Sequence, residues 1–117
     1  MRNLCWLVLL AAPLAPAQAE AKSGAACPHF SRLYARLADL PPGAAAALGF
    51  PIAERGAPWN ATDAVRPGPL LPFARFISAA GGGCTLTIRY EHGGIAHSDE
   101  TAILARRARG WALVRSR

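Results

Sequence analysis

Residues 84–92 read CTLTIRYEH and alternate between apolar and polar side chains. In an extended chain Cys84, Leu86, Ile88 and Tyr90 point to one side, and the residues between them point to the other. This period of two predicts a β-strand with one face in a hydrophobic core and the other in water. Because the cysteine lies on the apolar face, we expect a disulfide there to pack against the core.

Three more segments with strand character surround this one, and the connections between them are short or rich in glycine. Short connections favour antiparallel neighbours, so we expect a four-stranded meander. The predicted strands are residues 73–79, 84–92, 97–106 and 111–115.

The central hairpin offers two registers. A four-residue loop over residues 93–96 would place Arg89 opposite Glu100 on the wet face and Leu86 opposite Ile103 on the core face. A two-residue glycine turn would instead place a carboxylate against an aliphatic side chain. The charge pattern therefore favours the four-residue loop.

A helix is expected before the strands. After Pro28, apolar residues recur at helical spacing, and Pro41 and Pro42 mark the end of the helix. The apolar residues are Phe30, Leu33, Tyr34, Leu37 and Leu40. The alanine-rich residues 43–49 are compatible with a second, short helix. The predicted fold is α+β, with the N-terminal amphipathic helix packed on the four-stranded antiparallel sheet.

Residues 1–19 have the features of a secretory signal peptide. Arg2 provides the positive start, residues 4–12 are apolar, and the small residues Ala17 and Ala19 form the cleavage site. The apolar run is shorter than the roughly 20 residues that a membrane-spanning helix needs. We therefore expect cleavage after Ala19, a single domain over residues 20–117, and a periplasmic or secreted protein.

Two cysteines, Cys27 and Cys84, would remain after cleavage. An even pair in an oxidising compartment predicts a disulfide between them. The alternative is a lipoprotein acylated at Cys27, but the residues before that cysteine lack the leucine of a lipobox and follow a polar stretch.

The net charge of +6 is concentrated at the C-terminal end. A binding site for anionic lipid or a polyanion is one interpretation, and a solvated strand edge is the other. The sequence shows no recognition helix or metal knuckle, so we expect no nucleic-acid partner. The arginines concerned are Arg106, Arg107, Arg109, Arg115 and Arg117.

One group of potential metal ligands is present: His92, His97 and Asp99, with Glu91 and Glu100 nearby. Two histidines opposed across a hairpin beside a carboxylate are able to hold a divalent transition metal. Because metal sites usually have tighter spacing, we interpret the histidines as exposed turn residues and expect no metal or other cofactor. The sequence contains no nucleophile elbow, phosphate loop or acid pair for glycoside cleavage, so we expect no enzymatic activity.

The connection over residues 51–72 is long and rich in proline and glycine, which makes it the first place to look for a binding surface. It contains WNATDAV, residues 59–65, and is followed by RFI, residues 75–77, and YEHGGIAH, residues 90–97. Together these segments resemble small exported bacterial proteins of uncharacterised function with an Asn-x-Thr-Asp loop and a Tyr-Glu-His-Gly-Gly hairpin. The resemblance implies no activity, but it implies that the loop and the hairpin share one surface. The expected binding residues are Trp59, Asn60, Thr62, Asp63, His92 and His97.

These observations favour a small exported binding protein, of the inhibitor, immunity or envelope accessory type, whose partner is another protein. One alternative is a binder of anionic lipid or polyanion through the arginine-rich C-terminus. A second alternative is a histidine-dependent enzyme or metal binder.

Overall fold

The computed structural model describes Cys27, residues 31–64 and residues 67–117. These residues form one six-stranded sheet, a single short α-helix and one turn of 3-10 helix. The strands are β1 (Ser31–Tyr34), β2 (Ile52–Ala53), β3 (Ala74–Gly82), β4 (Thr85–His92), β5 (Ser98–Arg107) and β6 (Gly110–Ser116); the helix α1 is Ala44–Ala47 and the 3-10 turn is Leu37–Asp39.

Strands β3 to β6 form the predicted antiparallel meander, with sheet order β1-β3-β4-β5-β6. The outer edge of β3 is shared: β1 pairs antiparallel with its second half, and β2 pairs parallel with its first two residues. The meander is therefore extended on one side by the chain that precedes it.

The core lies on one face of this sheet. Leu86, Ile88 and Tyr90 of β4 are buried, as their alternation predicts. Phe76 of β3 and Leu104 of β5 flank them and are completely inaccessible to solvent. The buried residues Ala44 and Leu48, in and directly after α1, belong to the same core cluster.

The fold is mostly β, so the predicted α+β architecture is wrong. Residues 31–40, assigned to an amphipathic helix, form β1 and the 3-10 turn instead. Leu33 is 83% exposed, which the core-facing side of a helix would not allow. The short second helix is present as α1, within the predicted residues 43–49.

The disulfide and the open edge of β3 explain this difference. Cys27 is bonded to Cys84, with the two Cα atoms 5.0 Å apart, and Cys84 directly precedes β4. Ser31 pairs with Gly82 at this same end of the sheet, so the chain after Cys27 starts beside the unpaired backbone of β3. Pairing there satisfies the backbone hydrogen-bonding groups of both strands. This stabilisation comes from residues far apart in the sequence, so the helical spacing of apolar residues does not predict it.

Glu54, which directly follows β2, fixes the turn after β1. Its carboxylate accepts hydrogen bonds from the backbone N–H groups of Leu37 (2.9 Å), Ala38 (3.0 Å) and Arg55 (3.0 Å). Partial burial opposes ionisation of this carboxyl, but the three N–H donors and the charge of Arg36 outweigh it and lower the pKa of Glu54. The ionised carboxylate thus holds the two segments together.

The register of the central hairpin differs from the predicted one by one residue. Arg89 pairs with Thr101 rather than Glu100, and Leu86 pairs with Leu104 rather than Ile103. Because a shift of one residue exchanges the faces of a strand, Glu100 lies on the core side of β5. The predicted register is wrong because burial of Ala102 and Leu104, both fully inaccessible to solvent, outweighs the Arg89–Glu100 charge pair.

The predicted disulfide between Cys27 and Cys84 is confirmed. The predicted signal peptide, residues 1–19, lies outside the described residues. None of the helices in the described part of the chain has the length and apolarity needed to cross a membrane.

Candidate functional site

The loop over residues 59–64 is bonded to the hairpin loop between β4 and β5. The N–H of Gly94 donates to the carbonyl oxygen of Ala61 (3.2 Å), and the N–H of Ile95 donates to Oδ1 of Asp63 (3.0 Å). Gly93 is buried against the backbone of Asn60, where a Cβ would lie 2.2 Å from the carbonyl oxygen. The two segments therefore form one continuous surface at the hairpin end of the sheet.

The polar side chains of this loop mainly hold its shape. Oδ1 of Asn60 accepts the N–H of Thr62 (3.2 Å), and Oγ1 of Thr62 accepts the N–H of Ala64 (3.3 Å). The N–H of Asn60 donates to the carbonyl oxygen of Pro72 (2.7 Å), and that of Gly93 donates to the carbonyl oxygen of Phe73 (2.7 Å). The loop is thus tied both to the chain entering β3 and to the hairpin.

Apolar side chains project from the same end of the sheet. Leu70 is 97% exposed, Ile95 is 93% exposed and Phe73 is 45% exposed. Leu70 and Phe73 help to line a groove of about 430 Å³. A second depression, between the 59–64 loop and residues 67–73, shares Leu70, Leu71 and Phe73 with it. The groove is lined by Phe50, Pro51, Leu70, Leu71, Pro72, Phe73, Ala74 and His92.

A cluster of charged and aromatic side chains occupies the opposite, wet face of the sheet. Arg75 of β3 forms an ion pair with Glu91 of β4, and its Nε donates to Oε2 of Glu91 at 2.7 Å. The guanidinium also lies over the Trp59 ring, 4.6 Å from the ring centre. His97 packs edge-on against the same indole, with ring centres 6.0 Å apart. Trp59 therefore holds both Arg75 and His97 in place.

Glu91, His97 and Asp99 form what we call the Glu91 cluster. Nε2 of His97 lies 3.6 Å from Oε1 of Glu91. Asp99 is the register partner of Glu91 on β5, and one ligand atom from each of the three residues lies within 4.8 Å of the others. This is a set of one imidazole and two carboxylates with its outer side open to solvent.

The structure separates the residues that the sequence grouped as potential ligands. His92 follows Glu91 directly, so it points to the other face of the sheet and lines the apolar groove. Glu100 also lies on the core side, where it accepts hydrogen bonds from the Tyr90 hydroxyl (2.9 Å) and the Ser98 hydroxyl (3.0 Å). Burial raises the pKa of Tyr90 to about 12, together with the hydrogen bond from its hydroxyl to the charged Glu100.

The six predicted binding residues all lie at the hairpin end of the sheet, but on two faces. The expected binding residues did not include Arg75, which links Trp59 to Glu91. They also did not include Leu70 and Ile95, although these lie in the long connection and in the hairpin that were expected to carry the surface. The alternation in β3, where Arg75 is polar between apolar neighbours, was the signal that could have placed it on the wet face.

The C-terminal arginines do not form one site. Arg106, Arg107 and Arg109 surround the turn between β5 and β6, and the guanidinium of Arg106 lies 5.8 Å from the centre of the Trp111 ring. Arg115 and Arg117 lie at the other end of β6, roughly 20 Å away at the usual rise of a strand. The arginines therefore form two groups at opposite ends of β6, and binding of anionic lipid or polyanion stays a prediction.

Comparison with known proteins does not identify a relative: no protein-family model matches the chain, and no curated protein or solved structure is significantly similar to it.

Proposed function

We propose that this chain is a small exported protein that binds another protein and has no catalytic activity of its own. The binding face consists of residues 59–64, 67–73 and 92–97. The observation that carries the proposal is an apolar groove whose lining includes the nearly fully exposed Leu70. The nearly fully exposed Ile95 lies on the hairpin that is hydrogen-bonded to the adjoining 59–64 loop.

Exposure of single apolar residues is ordinary in soluble proteins, but a contiguous apolar patch with polar edges is typical of an interface. Here the groove contains two phenylalanines and two leucines, and His92 lies at its edge. Its volume suits one or two large side chains of a partner. We therefore expect the partner to insert aliphatic or aromatic side chains between Phe50 and Phe73.

The scaffold reduces the cost of binding. Backbone hydrogen bonds from Asn60, Gly93 and Gly94 fix the loop and the hairpin before any partner arrives. A surface that is already ordered loses less conformational entropy on association than a mobile one.

Site-specific photocrosslinking tests this proposal. The full chain, expressed in its source cells, would carry a photoreactive phenylalanine analogue at Leu70 or at Ile95. The matched control places the analogue at Leu33, which is 83% exposed but lies on β1 at the opposite end of the sheet.

We expect one discrete protein adduct from Leu70 and from Ile95 but not from Leu33, and we expect it to persist at high salt. The double substitution of aspartate for Phe73 and Leu70 in an unlabelled competitor should abolish its ability to compete. Identical adducts at all three positions, or lipid adducts that disappear with salt, would contradict a packed protein interface.

A further inference from the structure

The Glu91 cluster contains an arrangement that antiparallel sheets normally avoid. Glu91 and Asp99 are directly opposite each other on neighbouring strands, where two like charges are destabilising. Arg75 neutralises Glu91, but it does so through Oε2. The Asp99 carboxylate forms no ion pair with any described residue. Arg55 and Arg89 line the same depression, but neither forms an ion pair with Asp99 among the described residues. A positive charge bound directly between the two strands would remove the repulsion.

We propose that Glu91, His97 and Asp99 bind a divalent transition cation such as Zn²⁺. The ligands would be Oε1 of Glu91, Nε2 of His97 and one carboxylate oxygen of Asp99. An imidazole together with two carboxylates suits Zn²⁺ and its neighbours in the first transition row better than it suits Mg²⁺ or Ca²⁺, which prefer oxygen alone.

The distances agree with this assignment. Zinc bonds to nitrogen and oxygen of about 2.0 to 2.2 Å place two ligand atoms of a tetrahedral site about 3.4 Å apart. The separation between His97 Nε2 and Glu91 Oε1 is 3.6 Å. All three ligand atoms lie within 4.8 Å of one another. Asp99 is exposed, so its carboxylate has room to move toward the other two ligands.

Neighbouring residues orient two of the ligands. Arg75 binds one oxygen of Glu91 and leaves the other directed toward His97. Trp59 packs against both the Arg75 guanidinium and the His97 ring. Such outer contacts are common around metal ligands, because they fix side-chain orientation before the metal binds. With three protein ligands, the site would keep a coordination position open to solvent.

Titration of the purified mature protein, free of affinity tags and stripped with chelator, tests the proposal. Zn²⁺ binding is measured by calorimetry, and Co²⁺ serves as a visible-absorption probe of the ligands. The variants are His97→Ala and Asp99→Asn, both exposed positions. The matched control is His92→Ala, an exposed histidine on the other face of the same hairpin.

We expect one Zn²⁺ per chain, with affinity reduced more than about tenfold by His97→Ala and by Asp99→Asn and unchanged by His92→Ala. Amide spectra should shift around residues 91, 97 and 99. Binding that survives His97→Ala would assign the metal to ligands elsewhere, and no binding by a protein with a folded spectrum would also overturn the proposal. Asp99 lies outside the proposed binding face, so the effect of Asp99→Asn on Zn²⁺ affinity tests the metal site independently of binding to a protein partner.

Discussion

Gly93 lies so close to Asn60 that no side chain fits between them. A Cβ on Gly93 would lie 2.2 Å from the carbonyl oxygen of Asn60 and 2.9 Å from Cα of Ala61. Both of these atoms belong to the backbone, and a main chain held by hydrogen bonds cannot move aside as a flexible side chain can. This contact joins the 59–64 loop to the hairpin and shapes the proposed binding face.

Gly93→Ala is therefore expected to lower the free energy of unfolding by about 1 to 3 kcal/mol, the usual cost of overpacking. It should also separate the loop from the hairpin. Denaturant unfolding measures the first effect, and loss of hydrogen-exchange protection at the amides of Gly94 and Ile95 reports the second. Gly82→Ala is the matched control, because a Cβ there meets nothing within 4 Å. Equal effects of the two substitutions would show that the close contact is unimportant.

Glu54→Gln should destabilise the protein by about 1 kcal/mol, because the amide replaces one of the two accepting oxygens by a donor. Denaturant unfolding at neutral pH measures this loss of stability. The control is Asp39→Asn, because Asp39 is an exposed carboxylate in the 3-10 turn. A loss no larger than that of the control would contradict the bridging role of Glu54.

The acid dependence of stability should also change in Glu54→Gln. The folded-state pKa of Glu54 is below its ordinary value of 4.5. Its contribution to stability is therefore present above that value and is lost as the pH falls through the folded-state pKa. We expect the wild-type protein to lose more stability between neutral and acid pH than the variant does. Parallel curves from the two proteins would be inconsistent with the lowered pKa.

Tyr90 should ionise far above the ordinary range. In a Tyr34→Phe background it is the sole tyrosine, so absorbance at alkaline pH reports it directly, and we expect a pKa of about 12. Its contribution to stability is complete below the ordinary value of 10.0 and is lost as the pH rises toward 12. Adding Glu100→Gln should lower the pKa of Tyr90, whereas Asp99→Asn, on the opposite face of β5, should leave it unchanged.

Replacement of both Cys27 and Cys84 by serine should destabilise the protein by about 4 kcal/mol in the chain-entropy description, since the crosslink closes a loop of 57 residues. The β1 pairing should suffer most, because the tether beside Gly82 is lost. Hydrogen exchange at β1 and β4 separates this local effect from global unfolding. If β1 and β4 lost protection equally at all denaturant concentrations, β1 would unfold only together with the whole sheet, which would contradict a local effect of the disulfide on β1.

Residues 84–92 show which features of the fold the local sequence pattern predicts. Their alternation was sufficient to predict β4 and its buried face, because side-chain direction in a strand is fixed by the backbone alone. The export prediction left two cysteines, and these are the two that are bonded. The four strands of the meander follow from the same local signals and the glycine-rich turns.

Tertiary structure decided the rest. Ser31–Tyr34 became a strand because the edge of β3 offered backbone partners beside the disulfide, and that pairing outweighed helical spacing. The hairpin register, which depends on packing across the whole sheet, moved Glu100 to the core side and placed Asp99 opposite Glu91. The Glu91 cluster depends on residues from the 59–64 loop and three strands, and its distances exist only once those strands are aligned. Local sequence fixes which way a side chain points, but only the packed sheet fixes which side chain it meets.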